Sequence, residues 1–287
     1  MRASFRTGVR NGLPIVEVET AAATAAMALQ GAQVLSFVPR GGRDWLWVSE
    51  RARWAAGTAL RGGIPICFPW FGPHPTERAF PAHGFARTRP WRLVATDGDG
   101  DGARLELGLT ADAATEALFP HRFEARLTVT VGADLTLAFE AANAGAAPFA
   151  FEVALHSYFA VADVAAAAID GLAGCAFVDK VAGGARRREG EAPVRIAGEV
   201  DRVYDAGGPV TLVDPAGGRA LRIETAGGGS TVVWNPAPAK AAALGDLAPD
   251  GWRRFVCVES GAVGDRRITL APGARHRLTA RIAAGPG

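Results

Sequence analysis

The sequence predicts an all-β protein, a large antiparallel sandwich or barrel with few short helices, and three observations carry that prediction. Short runs of alternating apolar and polar residues recur along all 287 residues. Gly, Asp and Pro, which favour turns, separate these runs. Long amphipathic helices are missing. No fixed-period repeat suggests a propeller or solenoid, and no linker-like composition divides the chain, so residues 1–287 read as one domain.

In chain order, "PIVEVE", "QVLSFVP" and "DWLWVS" are the first strand signals. "RGGIPICFPWFGPHPTERAFPAHGFAR", from Arg61 to Arg87, then breaks the pattern. It mixes Gly, Pro, aromatic residues, histidine and arginine without helical or strand period. A connector of this length in a compact domain is usually functional. After it come "WRLVAT" and "RLELGL", and then "DAATEALFP", the best helix-like piece, ended by Pro120. "ARLTVTV" and "LTLAFEA" read as a hairpin joined by Gly132, Ala133 and Asp134. Leu127, Val129 and Val131 share one face of that hairpin, as do Leu135, Leu137 and Phe139. "FAFEVALHSYFAV", "PVTLVD", "LRIETA", "STVVWNP", "FVCVES", "RITLAPG" and "HRLTARI" complete the strands, and "AKAAALGDLAPDGW" has room for one more helical turn. The run Arg186-Arg187-Arg188 reads as a solvated hairpin tip.

Bulk properties narrow the function. Net charge is +2, from 31 basic and 29 acidic residues, without the basic excess of a nucleic-acid binder. Lys180 and Lys240 are the only lysines, which reads as coding bias rather than function. Cys67, Cys175 and Cys257 are scattered and odd in number, so neither a disulfide framework nor a zinc site is expected. The N-terminus has no signal-peptide core, and "AAATAAMALQ" is too short and too polar to span a membrane. A cytoplasmic monomer acting on a small molecule is expected, with neither nucleic acid nor membrane as partner.

Four segments carry polar groups that a β-core would not want: Arg61, His83 and Arg87 in the irregular stretch, His156 in "EVALHSYF", Asp201 in "GEVDRVYD" and Glu259 in "FVCVESG". Singly, each has an ordinary reading. His156 is a hydrogen-bonded core histidine, Glu259 a carboxylate at a strand end facing water, Asp201 a turn cap, and the arginines surface charges. Together they suggest chemistry. A buried carboxyl and a buried imidazole are both moved toward neutrality, as a base and an acid require. Arg61 and Arg87 can fork an anion such as phosphate. Phe68, Trp70, Phe71 and Phe85 can offer a flat apolar surface to a sugar ring. On alternation, His156 shares a face with Ala154 and Tyr158, away from the core residues Val153, Leu155 and Phe159. No GxSxG, phosphate loop or metal-ligand spacing competes with this reading.

Taken in order, "RGGIPICFPWFGPHP", "HGFAR", "ALHSYF", "DRVYD", "VVWNP" and "FVCVESG" closely resemble the hexose-6-phosphate mutarotases, the glucose-6-phosphate 1-epimerase branch of the aldose 1-epimerase superfamily. The resemblance covers nearly the whole chain. It implies a β-sandwich of the galactose-mutarotase type and a cofactor-free interconversion of sugar-phosphate anomers, first of all those of D-glucose 6-phosphate. It implies His156 as general acid and Glu259 as general base. It also implies Arg61, Arg87 and Asp201 as substrate ligands, with His83 supporting them. One departure is Ala82, where many members have a polar residue before that histidine. Two alternatives stay open: an aldose 1-epimerase of free sugars, and a non-catalytic sugar-phosphate binder on the same fold.

Overall fold

A computed structural model describes residues 3–286. Two large antiparallel sheets dominate. The nine-stranded sheet runs in the order Val194–Arg195, Ala168–Asp170, Val210–Asp214, Arg219–Ala226, Arg275–Ala284, Leu135–Asn143, Phe123–Val131, Ala103–Thr110 and Arg92–Gly98. The expected hairpin lies inside it, with Val131 opposite Leu135. Leu127, Val129, Val131, Leu135, Leu137 and Phe139 are all buried, as the alternation requires, while the other face of the hairpin meets solvent.

The eight-stranded sheet runs Ala185–Arg188, Ala176–Asp179, Val200–Tyr204, Ser230–Asn235, Phe255–Ala262, Val153–Leu155 and Ile66–Cys67, with Tyr158–Ala160 also pairing to Phe255–Ala262. Its central strands, Ser230–Asn235 and Phe255–Ala262, are buried at every position. One face of this sheet joins the main core through Val153, Leu155, Phe159, Val233, Val256 and Val258. The other carries smaller apolar clusters, one built on Tyr158, Trp234, Phe255 and Cys257 and one on Cys67, Ala154 and Val232. A strand covered on both faces reads as a continuous apolar run, which is how "FVCV" looks.

A four-stranded sheet packs Ser4–Arg10, Leu13–Glu19, Ala23–Ala28 and Gln33–Pro39 in sequence order. Its third strand is the alanine-rich segment, whose small side chains hid the alternation. "DWLWVS" makes only isolated bridges, Leu46 with Phe159 and Val48 with Gly62. The helix-like pieces form short helices at Ala113–Glu116, capped reciprocally by Asp112 and Thr115, and at Ala237–Ala242. Arg186, Arg187 and Arg188 are not a hairpin tip. They lie on the exposed edge strand Ala185–Arg188, and the turn comes earlier, at Lys180–Gly184. Charges on an edge strand block pairing with a second chain. Among the described residues, no helix is long and apolar enough to cross a membrane.

Candidate active site

The Arg61–Arg87 stretch owes its shape to the strand beside it. His156 donates its backbone N–H to Pro65 O at 2.9 Å, Tyr158 to Gly63 O at 2.9 Å and Glu152 to Pro69 O at 2.9 Å. Gly63 to Pro69 therefore edges the eight-stranded sheet, although only Ile66–Cys67 is regular strand. The chain leaves the sheet at Gly72 and returns at His83. There Gly72 N–H reaches His83 Nδ1 at 3.3 Å, and His83 N–H reaches Gly72 O at 2.7 Å. Gly84 then passes against Phe68, whose carbonyl accepts from Phe85 at 3.0 Å and from Ala86 at 3.2 Å. Gly84 has φ +71°, and a Cβ there would collide with the Phe68 carbonyl.

The strand register places the chemistry. Leu155 faces Ser260 and Tyr158 faces Cys257, so His156, in the two-residue break between those strands, lies opposite Glu259. Their side chains share the face turned away from the main core, as the alternation predicted for His156. His156 Nε2 lies 3.4 Å from Glu259 Oε1. Glu259 is not at a strand end facing water; it is 1% exposed and the fifth residue of eight in its strand. The His156 ring stacks on Tyr158 at 4.8 Å, and Trp234 meets it edge-on at 6.0 Å. His83 stands on its open side at 5.6 Å. These contacts fix the imidazole plane relative to the carboxylate.

The cleft over this pair is about 520 Å³. Arg61, His83, Arg87, His156, Asp201 and Glu259, all expected from sequence, line it together. Asp201 does not cap a turn: it lies within Val200–Tyr204, opposite Trp234. Of the four aromatics expected to face a sugar, only Phe71 lines the cleft; Phe68, Trp70 and Phe85 are buried in the core. Tyr158, Trp234, Lys180 and Lys240 also line it, and sequence reasoning gave none of them a role. The scarcity of lysine was the available signal, because both lysines of the chain are here.

Burial dominates the electrostatics. It pushes the Glu259 carboxyl well above the usual carboxylate range, against the pull of Lys180 and Arg87. It pushes the His156 imidazole well below its ordinary value, helped by His83, Arg87 and Arg61. A lone charge on either partner is thus disfavoured, so the pair is held at net zero with one exchangeable proton, on the carboxyl or on the imidazole. His83 is likewise held neutral by burial and by Arg87, Lys180 and Arg61. Its Nδ1 accepts from Gly72, so its proton sits on Nε2. Glu259 Oε2 and His156 Nδ1 are buried and have no partner in the protein. In a site meant only for packing, such atoms would be costly.

The cations differ in what they can still bind. Arg61 gives Nε to both oxygens of Asp246 at 3.2 Å and Nη1 to Tyr158 Oη at 3.1 Å, which leaves part of its fork uncommitted. Lys180 pairs with Asp201 at 3.6 Å and Lys240 with Glu199 at 2.7 Å. Among the described residues, Arg87 pairs with no carboxylate. Its Nη2 donates to Ala82 O at 2.7 Å, and its Nε is buried without a partner. Ala82 thus contributes its backbone carbonyl at the position where the sequence departs from the common pattern. No group of three His, Cys, Asp or Glu side chains among the described residues is placed to hold a metal ion.

The sequence profile described as Aldose 1-epimerase matches residues 14–283. A protein of Salmonella typhimurium, named as a candidate glucose-6-phosphate 1-epimerase, is 36% identical over 249 residues, 86% of this chain and 83% of its own. One of Escherichia coli with the same name is 34% identical over 273 residues, 94% of this chain and 91% of its own. Among solved structures, a candidate mutarotase from Salmonella typhimurium superposes with a TM-score of 0.92 at 33% identity, covering 99% of this chain and 94% of that one. A galactose mutarotase-like protein from Lactobacillus casei, 18% identical with a TM-score of 0.73, covers 94% of this chain and 100% of that one and shares the fold.

Proposed function

Because this chain belongs to the aldose 1-epimerase family, we propose that it interconverts the α and β anomers of a hexose 6-phosphate, D-glucose 6-phosphate first, through His156 and Glu259. One observation supports this above the rest: an imidazole and a carboxyl face each other at 3.4 Å on the buried floor of a cleft that also holds a guanidinium paired with no carboxylate among the described residues.

The chemistry needs a proton removed from the anomeric hydroxyl and one delivered to the ring oxygen. Both oxygens are attached to C1, so acid and base must stand side by side, as His156 and Glu259 do across the backbone register. With the shared proton on the imidazole, Glu259 takes the hydroxyl proton as His156 protonates the ring oxygen. The C1–ring oxygen bond breaks, and an open-chain aldehyde remains with a neutral carboxyl and a neutral imidazole. Rotation about C1–C2 presents the other carbonyl face. His156 then removes the chain hydroxyl proton, Glu259 returns its own to the carbonyl oxygen, and the starting protonation state is restored. Asp201 is assigned to a sugar hydroxyl, His83 Nε2–H to support of the acid end, and Arg87, seconded by Arg61, to the phosphate. Each positioned proton transfer is typically worth ~10²–10⁴ in rate.

The substrate assignment is tested by anomer exchange followed by NMR on glucose 6-phosphate and on glucose. Arg87→Ala is expected to lower kcat/KM for glucose 6-phosphate by about thirtyfold, roughly 2 kcal/mol, the scale of a charge-assisted bond. Its effect on glucose is expected to be much smaller. Arg61→Ala strips Asp246 of its partner and so is expected to cost activity on both sugars. Equal losses on the two sugars in Arg87→Ala would favour an aldose 1-epimerase of unphosphorylated sugars instead.

A further inference from the structure

Two of the 31 basic residues are lysines, and both line the catalytic cleft. Lys240 stands at the rim, tied to Glu199. Lys180 is placed differently. It opens the turn after Ala176–Asp179, and its backbone N–H donates to Asp201 O at 2.9 Å. Its side chain bridges the two walls of the cleft: Nζ lies 3.6 Å from Asp201 Oδ1 on the sheet and 4.4 Å from the centre of the Phe71 ring on the loop. Phe71 is itself fixed, its N–H on Glu152 at 2.9 Å and its ring against His83 at 4.8 Å. An ammonium is attracted both to the face of an aromatic ring and to a neighbouring carboxylate.

Asp201 faces Trp234, and Val232 faces Glu259, so Asp201 and Glu259 share one face of the sheet with a single strand between them. The groups around Glu259 come from five places. His156 and Tyr158 come from the segment pairing on one side, Cys257 from its own strand and Cys67 from the sheet edge. Arg61, His83 and Arg87 come from the loop, and Asp201 and Lys180 from the far wall. Cys67, Cys257 and Tyr158 stay neutral because burial raises all three. Arg61 is offset by Asp246. Asp201 opposes Lys180 at the Glu259 carboxyl, but with the smaller influence of the two. Lys180 and Arg87 are the cations that favour its ionised form, and when substrate phosphate occupies Arg87, Lys180 is the one left for the base.

We propose that Lys180 is a positioning residue that acts on the reaction through Glu259: its ammonium, clasped between Asp201 and Phe71, favours the carboxylate form of the general base. This rests on the reading of the cleft as an anomer-exchange site with Glu259 as base. The influence of Lys180 on the Glu259 carboxyl, the largest of any charged group, agrees with it. The sign follows from charge. A nearby cation favours loss of a proton from the His156–Glu259 pair. Without it the pair takes up a proton more readily, and both limbs of its pH profile move to higher pH.

The test is kcat/KM for glucose 6-phosphate anomer exchange as a function of pH, in wild type, Lys180→Met, Lys180→Gln and Lys180→Arg. The substrate's own phosphate titrates near about pH 6 and is common to all four enzymes. Lys180→Met and Lys180→Gln are expected to move the acid limb up by about one pH unit, the low end of the effect of a nearby opposite charge. Lys180→Gln keeps a hydrogen-bond donor toward Asp201, so an equal shift in both variants assigns the effect to charge rather than to packing. Lys180→Arg is expected to keep the wild-type limb. An unmoved limb in Lys180→Met, or a pH-independent rise in KM confined to the phosphorylated sugar, would overturn the inference; the second result would make Lys180 a phosphate contact. A wild type inactive on glucose 6-phosphate would instead take down the functional reading on which the inference rests.

Discussion

Glu259→Gln is expected to lower anomer exchange of glucose 6-phosphate by at least about 10²-fold, and His156→Ala by a similar factor. The glutamine keeps the shape of a side chain that is 1% exposed, and it can still donate to His156, but it cannot accept the anomeric proton. Folding is expected to be unharmed. Removing a carboxyl whose charge is opposed by burial leaves stability equal or higher, so the thermal midpoint of Glu259→Gln should be at or above that of wild type. The two changes together are expected to cost little more than either alone, because acid and base act on one bond as a unit. Near-normal exchange in either single variant, with folding confirmed by circular dichroism, would end the acid and base assignment.

Gly84→Ala is expected to destabilise the protein by about 3 kcal/mol or more, of which ~1–2 kcal/mol is the left-handed backbone itself. The rest is steric. The new Cβ meets the Phe68 carbonyl, which cannot retreat because it accepts two backbone hydrogen bonds and its ring packs against Phe123, Phe139 and Phe151 at 5.3–5.4 Å. For a chain of this size that is a fall of about 6–12 °C in the melting midpoint. Gly72→Ala is the matched control, with a similar φ of +75° but open space around the added methyl, and is expected to cost only about 1 kcal/mol. Gly84→Ala is also expected to lower exchange, because His83 and Arg87 ride on the same segment. Equal melting midpoints for the two variants would show that the segment yields at Phe68.

How far the sequence could be read follows from the kind of signal each element carried. The Phe123–Asn143 hairpin was legible because one of its faces is wet, so its burial alternates. The Ala23–Ala28 strand was not, because alanine shows no contrast between faces. The pairing of His156 with Glu259 depends on register between segments about a hundred residues apart; composition pointed to both residues but could not show them as neighbours. The aromatic stretch was misread for a related reason. Phe68, Trp70 and Phe85 look like Phe71 in sequence, and only the path of the chain decides which ring faces the cleft. The two arginines were treated as equals because Asp246, which occupies most of Arg61, lies far along the chain.

The floor and the walls of the cleft have separate origins, and this bears on how such a protein can diverge. His156 and Glu259 stand opposite each other where backbone hydrogen bonds set the spacing, whereas Ala82 and Arg87 come from a loop. On the proposed function, changes in the latter can alter which sugar is admitted while leaving in place the pair to which the proton transfers are assigned. A lineage built on this plan is therefore free to trade one aldose for another through a few peripheral replacements, its reaction inherited intact while its diet changes.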